Sequence, residues 1–305
     1  MRLGQNLPNV RYPKAPSIGF GAYYSNLANK DIYGNAIAMY AYFDSQFSDY
    51  DRAVSLGSTV ASGVSYTGKP YHKKHNPFNQ AIGSHLNAFI ILSLNLNFKL
   101  NADFVLSLSP SLIHNSNGKV KLPNSGLNFH TLKLSATYKV SEKEILLSNI
   151  DNFANKETRN SLVGVLSGGI REENKRNPVS QIVSSVVVEY YRTLFRNGRI
   201  GVGGDLFYYS PYLSTLTNDS EFESFAAGAH FSYEILWGRL SFILQPGIQQ
   251  RADDQAGLRN FSRVGIRYRL KNNLLLNLSL KSSMFVAEYI EWGFGYNLNF
   301  GKNER

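Results

Sequence analysis

The chain has 305 residues, 43% of them hydrophobic and 13% aromatic, with a formal net charge of +10 and no cysteine. The missing thiols exclude disulfides, thiolate metal sites and cysteine nucleophiles, so chemistry must come from oxygen and nitrogen groups. A mean hydropathy of −0.24, with no run near the roughly 18 apolar residues of a spanning helix, excludes a helical membrane protein but not a barrel of short alternating strands.

Residues 1–15 read as an extended N-terminal segment, in which Met1 to Gln5 lead into a Pro/Asn-rich stretch without the apolar core of a signal peptide. Beyond it, period-two alternation recurs almost end to end. It implies about fourteen strands of barrel length, within bounds of roughly 12 and 16, and no amphipathic helix between them. The basic residues are scattered and form no motif for bases, so nucleic acid is not expected and an anionic lipid surface is the better partner. The run Lys69-Pro70-Tyr71-His72-Lys73-Lys74-His75 is its best local candidate, with Lys69, Lys73 and Lys74 as head-group contacts; it reads equally well as a solvated loop.

In the next strand Leu86, Ala88, Ile90, Leu92 and Leu94 form one face, which places His85 and Asn87 on the lumenal one. After the tight link Leu100-Asn101-Ala102, Phe104, Leu106, Leu108, Pro110 and Leu112 are apolar against Asp103, Val105, Ser107, Ser109 and Ser111. His114 and Ser116 continue the apolar row and, two residues apart, project from one face. In the following strand Leu132, Leu134, Ala136 and Tyr138 oppose Lys133, Ser135, Thr137 and Lys139, so Asn128 and His130 also point outward.

Residues 141–159 form a long polar link with no functional reading. Farther on, Glu189 and Glu291 read as lumenal partners of internal Lys or Arg, and Glu234 as structural. Short links at Arg196–Arg199, Trp237-Gly238 and Lys271–Asn273 interleave with long ones around 67–82, 115–126, 171–178, 209–221 and 251–259, which is the turn pattern of an outer-membrane barrel. With both termini in the periplasm the long loops, apart from 141–159, lie outside the cell. Leu274, Leu276, Leu278 and Leu280, then Ile290, Trp292, Phe294, Tyr296, Leu298 and Phe300, make greasy rows whose opposite faces carry Asn, Ser, Gly and Glu. A filled soluble barrel would be apolar there as well. The simplest account is one domain over 1–305: an all-β transmembrane antiparallel β-barrel in the bacterial outer membrane.

Parity puts the 115–126 loop and its His/Ser/Asn cluster at the level of outer-leaflet head groups, where a substrate would be a lipid. From spacing alone a polar girdle explains the same residues. The run His114-Asn115-Ser116-Asn117-Gly118, followed by Pro123-Asn124-Ser125-Gly126-Leu127-Asn128, resembles the active-site segment of the PagL-type lipid A deacylases, also called the acyloxyacyl hydrolase-like outer-membrane family. The stretch from Asn76 to Phe89 looks like a second segment, typical of a longer branch, and the likeness covers roughly the first 140 residues. It implies a membrane-facing site that cleaves the 3-position ester of lipid A in lipopolysaccharide. Ser116 would be the nucleophile and His114 the general base, with Asn124 and the backbone N–H groups near Asn117 and Gly118 holding the oxyanion. Asn128 stands where the family carries a glutamate that orients the histidine. An amide can fix an imidazole but cannot stabilise its cation by charge.

No carboxylate pair, metal-spaced histidine set or phosphate loop occurs, so no cofactor or metal is expected. Two other readings stand beside an esterase. One is an inactive barrel serving as an accessory subunit, with a lateral outer-membrane partner or further copies of itself. The other is a small pore with a polar lumen.

Overall fold

The computed structural model describes residues 17–48, 52–140, 158–173, 179–195, 198–210, 225–251, 257–283 and 286–302. The 1–15 segment, nearly all of the 141–159 link and both chain ends lie outside the described residues. Fourteen strands are described, as the alternation implies, and every pairing between them is antiparallel. They fall into two compact units: residues up to Asn117 with 123–149, and Gly118–Leu122 with 150–305.

The first unit is a six-stranded sheet in sequence order, β1 (Ser17–Ser25), β2 (Ala36–Gln46), β3 (Val54–Thr67), β4 (Leu86–Lys99), β5 (Phe104–Ser116) and β6 (Leu127–Tyr138). Contacts that skip strands show how strongly it curls. The rings of Tyr23 on β1 and Phe89 on β4 lie 4.9 Å apart, and Ser65 on β3 donates to Asn115 on β5 at 2.7 Å. The inner face is largely a ladder of small polar side chains. Asn95 donates through Nδ2 to Thr59 (2.7 Å) and Asp44 (3.1 Å), and Ser107 donates to Asn97 (2.7 Å), which pairs these buried donors. On the outer face stand Val60, Val64, Leu92, Leu94 and Leu108.

The second unit closes on itself. β7 (Thr158–Glu173), β8 (Val179–Phe195), β9 (Gly198–Tyr209), β10 (Phe225–Trp237), β11 (Leu240–Arg251), β12 (Arg259–Arg269), β13 (Leu274–Ser283) and β14 (Val286–Lys302) pair in order, and β14 returns to β7 from Trp292↔Gly168 to Lys302↔Thr158. Its tight turns carry the residues such turns need: Gly238 (φ 60°), Asn272 (φ 64°) and Asn273 (φ 61°) adopt the left-handed backbone that Gly and Asn tolerate. The outward row of β14 is exposed as the alternation implies, with Phe294 at 74% and Trp292 at 67%.

Eight strands enclose an interior that side chains can just fill. Here a charge network crosses it, beside buried clusters that include Phe207, Phe261 and Tyr289. Glu189 accepts from Arg267 (2.6 Å), the Tyr191 hydroxyl (2.6 Å) and Gln245; Asp205 and Glu291 each accept from Arg263 at 2.9 Å; Glu234 accepts from Arg199 at 2.9 Å. His230 sits between Asp205 and Glu189, and Gly203 beside it leaves room, since a Cβ there would meet the imidazole at 2.6 Å. Glu189 and Glu291 thus have the internal arginine partners expected of them, and Glu234 joins them. The charged side chains named here are paired with one another inside this unit.

One expectation is corrected. His85 is not lumenal: it is exposed, stacks on the exposed Tyr66 ring at 5.0 Å, and bonds through Nδ1 to the Thr67 carbonyl (2.8 Å). It precedes the first residue of β4, so the strand alternation that buries Asn87 does not reach it.

Candidate active site

β5 and β6 run antiparallel with His114 directly opposite Asn128. That register places the two side chains together on the outer face, while Ile113 and Asn115 turn inward and are buried. His114 Nδ1 lies 2.6 Å from Asn128 Oδ1, and His114 Nε2 lies 2.8 Å from Ser116 Oγ. A carboxamide oxygen only accepts, so Nδ1 carries the proton and Nε2 offers its lone pair to the serine hydroxyl. The tautomer needed for proton abstraction from Ser116 is therefore set by Asn128. Ser116 is 5% exposed although it continues the outward row, and Asn117 is 4% exposed.

The loop that returns to β6 covers the pair. Gly126 has φ +76°, and a Cβ there would lie 3.1 Å from His114 Cε1 and 3.6 Å from Ser116 Cβ. An alanine would be strained in its backbone and crowd the imidazole. Gly126→Ala is expected to push the His114 imidazole off Ser116 while the barrel still folds and, on the esterase reading proposed below, to lower kcat about tenfold or more. Heat-modifiable gel migration measured alongside turnover checks this, and unchanged turnover would remove Gly126 from the site.

Asn124 accepts the backbone N–H of Asn117 through Oδ1 at 2.9 Å. This contact turns the amide so that its Nδ2 hydrogens remain the donors of Asn124. The side chain of Asn117 donates to Ser84 Oγ at 2.9 Å. His114, Ser116, Asn117, Asn124 and Asn128 are thus brought together in the first unit. Gly118 (φ +62°) is counted with the second. Lys69 donates to the Asp31 carbonyl at 3.3 Å, and Lys73 and Lys74 stand exposed on a turn pinned by His72 Nδ1, which accepts the N–H of Lys74 (3.2 Å) and of His75 (3.1 Å). Ser84 and Gly126 had no role in the sequence reading. The positive φ of Gly126 is foreshadowed only by its place in a Pro/Asn/Ser/Gly loop. Among the described residues no group of three His, Cys, Asp or Glu side chains could hold a metal.

Two family models together match most of the chain: "Lipid A 3-O-deacylase (PagL)" over residues 5–137 and "Acyloxyacyl hydrolase, C-terminal domain" over 160–300. The chain belongs to the PagL-type lipid A deacylase and acyloxyacyl hydrolase-like outer-membrane family. The resemblance read near His114 thus holds, and the second match carries it past residue 140 into β7–β14. Membership in the PagL family makes this a lipid A deacylase-like protein of the outer membrane, consistent with the aromatic and aliphatic rows exposed on its strands. The curated proteins contain no match. Among solved structures, the KdgM porin in complex with disordered oligogalacturonate is 6% identical, covering 94% of this chain and 100% of that one, with a TM-score of 0.21. OccAB4 of Acinetobacter baumannii is 8% identical over 93% of this chain and 96% of its own, with a TM-score of 0.24. Pseudomonas aeruginosa OpdK with vanillate is 8% identical over 93% and 97%, with a TM-score of 0.23. Scores this low carry no functional information.

Proposed function

We propose that this PagL-type protein is an esterase that removes the 3-linked acyl chain of lipid A, with Ser116, His114 and Asn128 as its relay. The observation that carries the reading is the continuous contact from Asn128 through His114 to Ser116, at 2.6 and 2.8 Å. His114 Nε2 takes the hydroxyl proton as Ser116 Oγ bonds to the ester carbon. The oxyanion that forms is held by Asn124 Nδ2; the N–H of Asn117 is already engaged by Asn124. His114 then returns the proton to the departing sugar oxygen, leaving an acyl-serine. Water, deprotonated by the same imidazole, attacks the acyl-serine, releases the fatty acid and restores Ser116. Lys69, Lys73 and Lys74 serve the anionic head group from the neighbouring loop.

Mass spectrometry of lipid A from cells expressing the wild type or Ser116→Ala, at matched levels of folded barrel, tests this. Loss of one 3-linked acyl chain with the wild type alone is the expected outcome. Unchanged lipid A in both, from a substrate carrying that ester, would overturn the esterase and favour the accessory-subunit reading.

A further inference from the structure

Asn79 lies outside the relay, yet it is fully buried (0% exposed) in a loop between two strands. A buried carboxamide must satisfy both its oxygen and its nitrogen. Asn79 Oδ1 accepts the N–H groups of Ala81 (3.1 Å) and Ile82 (3.0 Å), and Nδ2 donates to the Lys69 carbonyl at 2.7 Å. The side chain therefore fixes the backbone of residues 79–82. That backbone meets the site loop: the N–H of Gly126 donates to the Ala81 carbonyl at 3.0 Å and that of Ser125 to Gln80 at 3.4 Å. Ala81 and Ile82 pack with Leu27, Ala36 and Leu127, which anchors both segments to the sheet.

We propose that Asn79 is a positioning residue for the Ser116 site: by fixing residues 80–82 it holds the Ser125–Gly126 turn over the imidazole of His114. The proposal rests on the esterase reading for its catalytic consequence, but its structural link does not. Gly126 carries the effect because its Cα faces His114, and the same turn leads back to Asn124, which caps Asn117. Losing Asn79 frees a turn that bears on the base and on the oxyanion donor. It leaves the relay side chains themselves intact.

Asn79→Ala and Asn79→Asp are made in the full chain and purified in detergent micelles. A carboxyl group at this position can still accept two N–H groups and, protonated, donate to Lys69. Hydrogen–deuterium exchange reads the turn directly, and covalent labelling by an alkyl fluorophosphonate reads Ser116 without lipid A. The expected results for Asn79→Ala are faster exchange in peptides covering 124–128 with β4 and β5 unchanged, slower labelling, and kcat lowered about 10- to 100-fold at nearly constant KM. Asn79→Asp is expected to recover much of each. Unchanged exchange at 124–128, or faster exchange with full labelling and turnover, would overturn the proposal. So would an Asn79→Ala chain whose loss is shared by all strands, because Asn79 would then serve the fold rather than the turn. A wild type that neither labels nor turns over removes the esterase reading, and the exchange comparison then decides the role of Asn79 by itself.

Discussion

Replacing His114 with alanine is expected to lower lipid A deacylation by roughly 10⁴- to 10⁶-fold, the range in which a serine relay loses its base. Among the described residues, His114 supplies the imidazole nitrogen that lies against the Ser116 hydroxyl, at 2.8 Å. The loss should appear in kcat and leave folding intact, because His114 is half-buried on the outer face and pairs with Asn128 rather than with the sheet interior. Asn128 gives a graded companion. Asn128→Ala removes the acceptor that holds Nδ1–H and frees the tautomer. Asn128→Asp keeps an oxygen in place and adds the charge that stabilises an imidazolium. In a buried triad the Asp-to-Asn change costs about four orders of magnitude, through a wrong tautomer that the Asn128 oxygen avoids here, so the charge alone is worth less. Asn128 is exposed and its field is screened, so Asn128→Asp is expected to raise kcat by about 10- to 100-fold. Release of the 3-linked acyl chain in mixed micelles measures the series. Activity that survives His114→Ala would remove the relay, and an Asn128→Asp enzyme slower than wild type would show that the neutral amide is not a handicap.

Glu189→Ala is expected to destabilise the closed barrel by about 3–5 kcal/mol, read as a lower urea midpoint in liposomes. Glu189 lies at 0% exposure and serves Arg267, Tyr191 and Gln245 together, with His230 Nε2 at 3.4 Å. Truncation takes from the Arg267 guanidinium, itself 1% exposed, the nearer of its two carboxylates and leaves it with Glu234 at 3.6 Å. The effect belongs to the under-compensated buried charge more than to the pair. Glu189→Met combined with Arg267→Leu should therefore recover most of the loss, since a packed apolar pair can replace a buried ion pair at little cost. A single variant within about 1 kcal/mol of wild type would mean that the network yields to solvent, as an open lumen would.

Much of this was legible in the residues. Strand alternation is local: side chains at i and i+2 share a face whatever the tertiary structure, so the count of fourteen and the outward rows of β5, β6 and β14 follow from the chain itself. The same rule put His114 and Ser116 on one face, and the PagL-type motif named their partners. His85 shows where the rule stops, because it governs strands and the residue lies just outside one.

Three things needed the fold. Closure is a long-range choice: β14 could meet β7 only through hydrogen bonds spanning more than a hundred residues, and nothing in a two-residue period says which strand seals a barrel. The partners inside that barrel are equally nonlocal. Glu189 and Arg267 are far apart in the chain and meet across an eight-stranded interior, so sequence could name Glu189 as lumenal but not its arginine partner. The support of the site is nonlocal as well. Asn79 reaches Gly126 through backbone hydrogen bonds that no side-chain pattern encodes. The sequence by itself determined the strands, their faces and the His/Ser/Asn motif, because these depend on neighbours in the chain. Tertiary structure alone decided the closure, the ion-pair network and the strap over His114, because each is a contact between segments that only folding brings together.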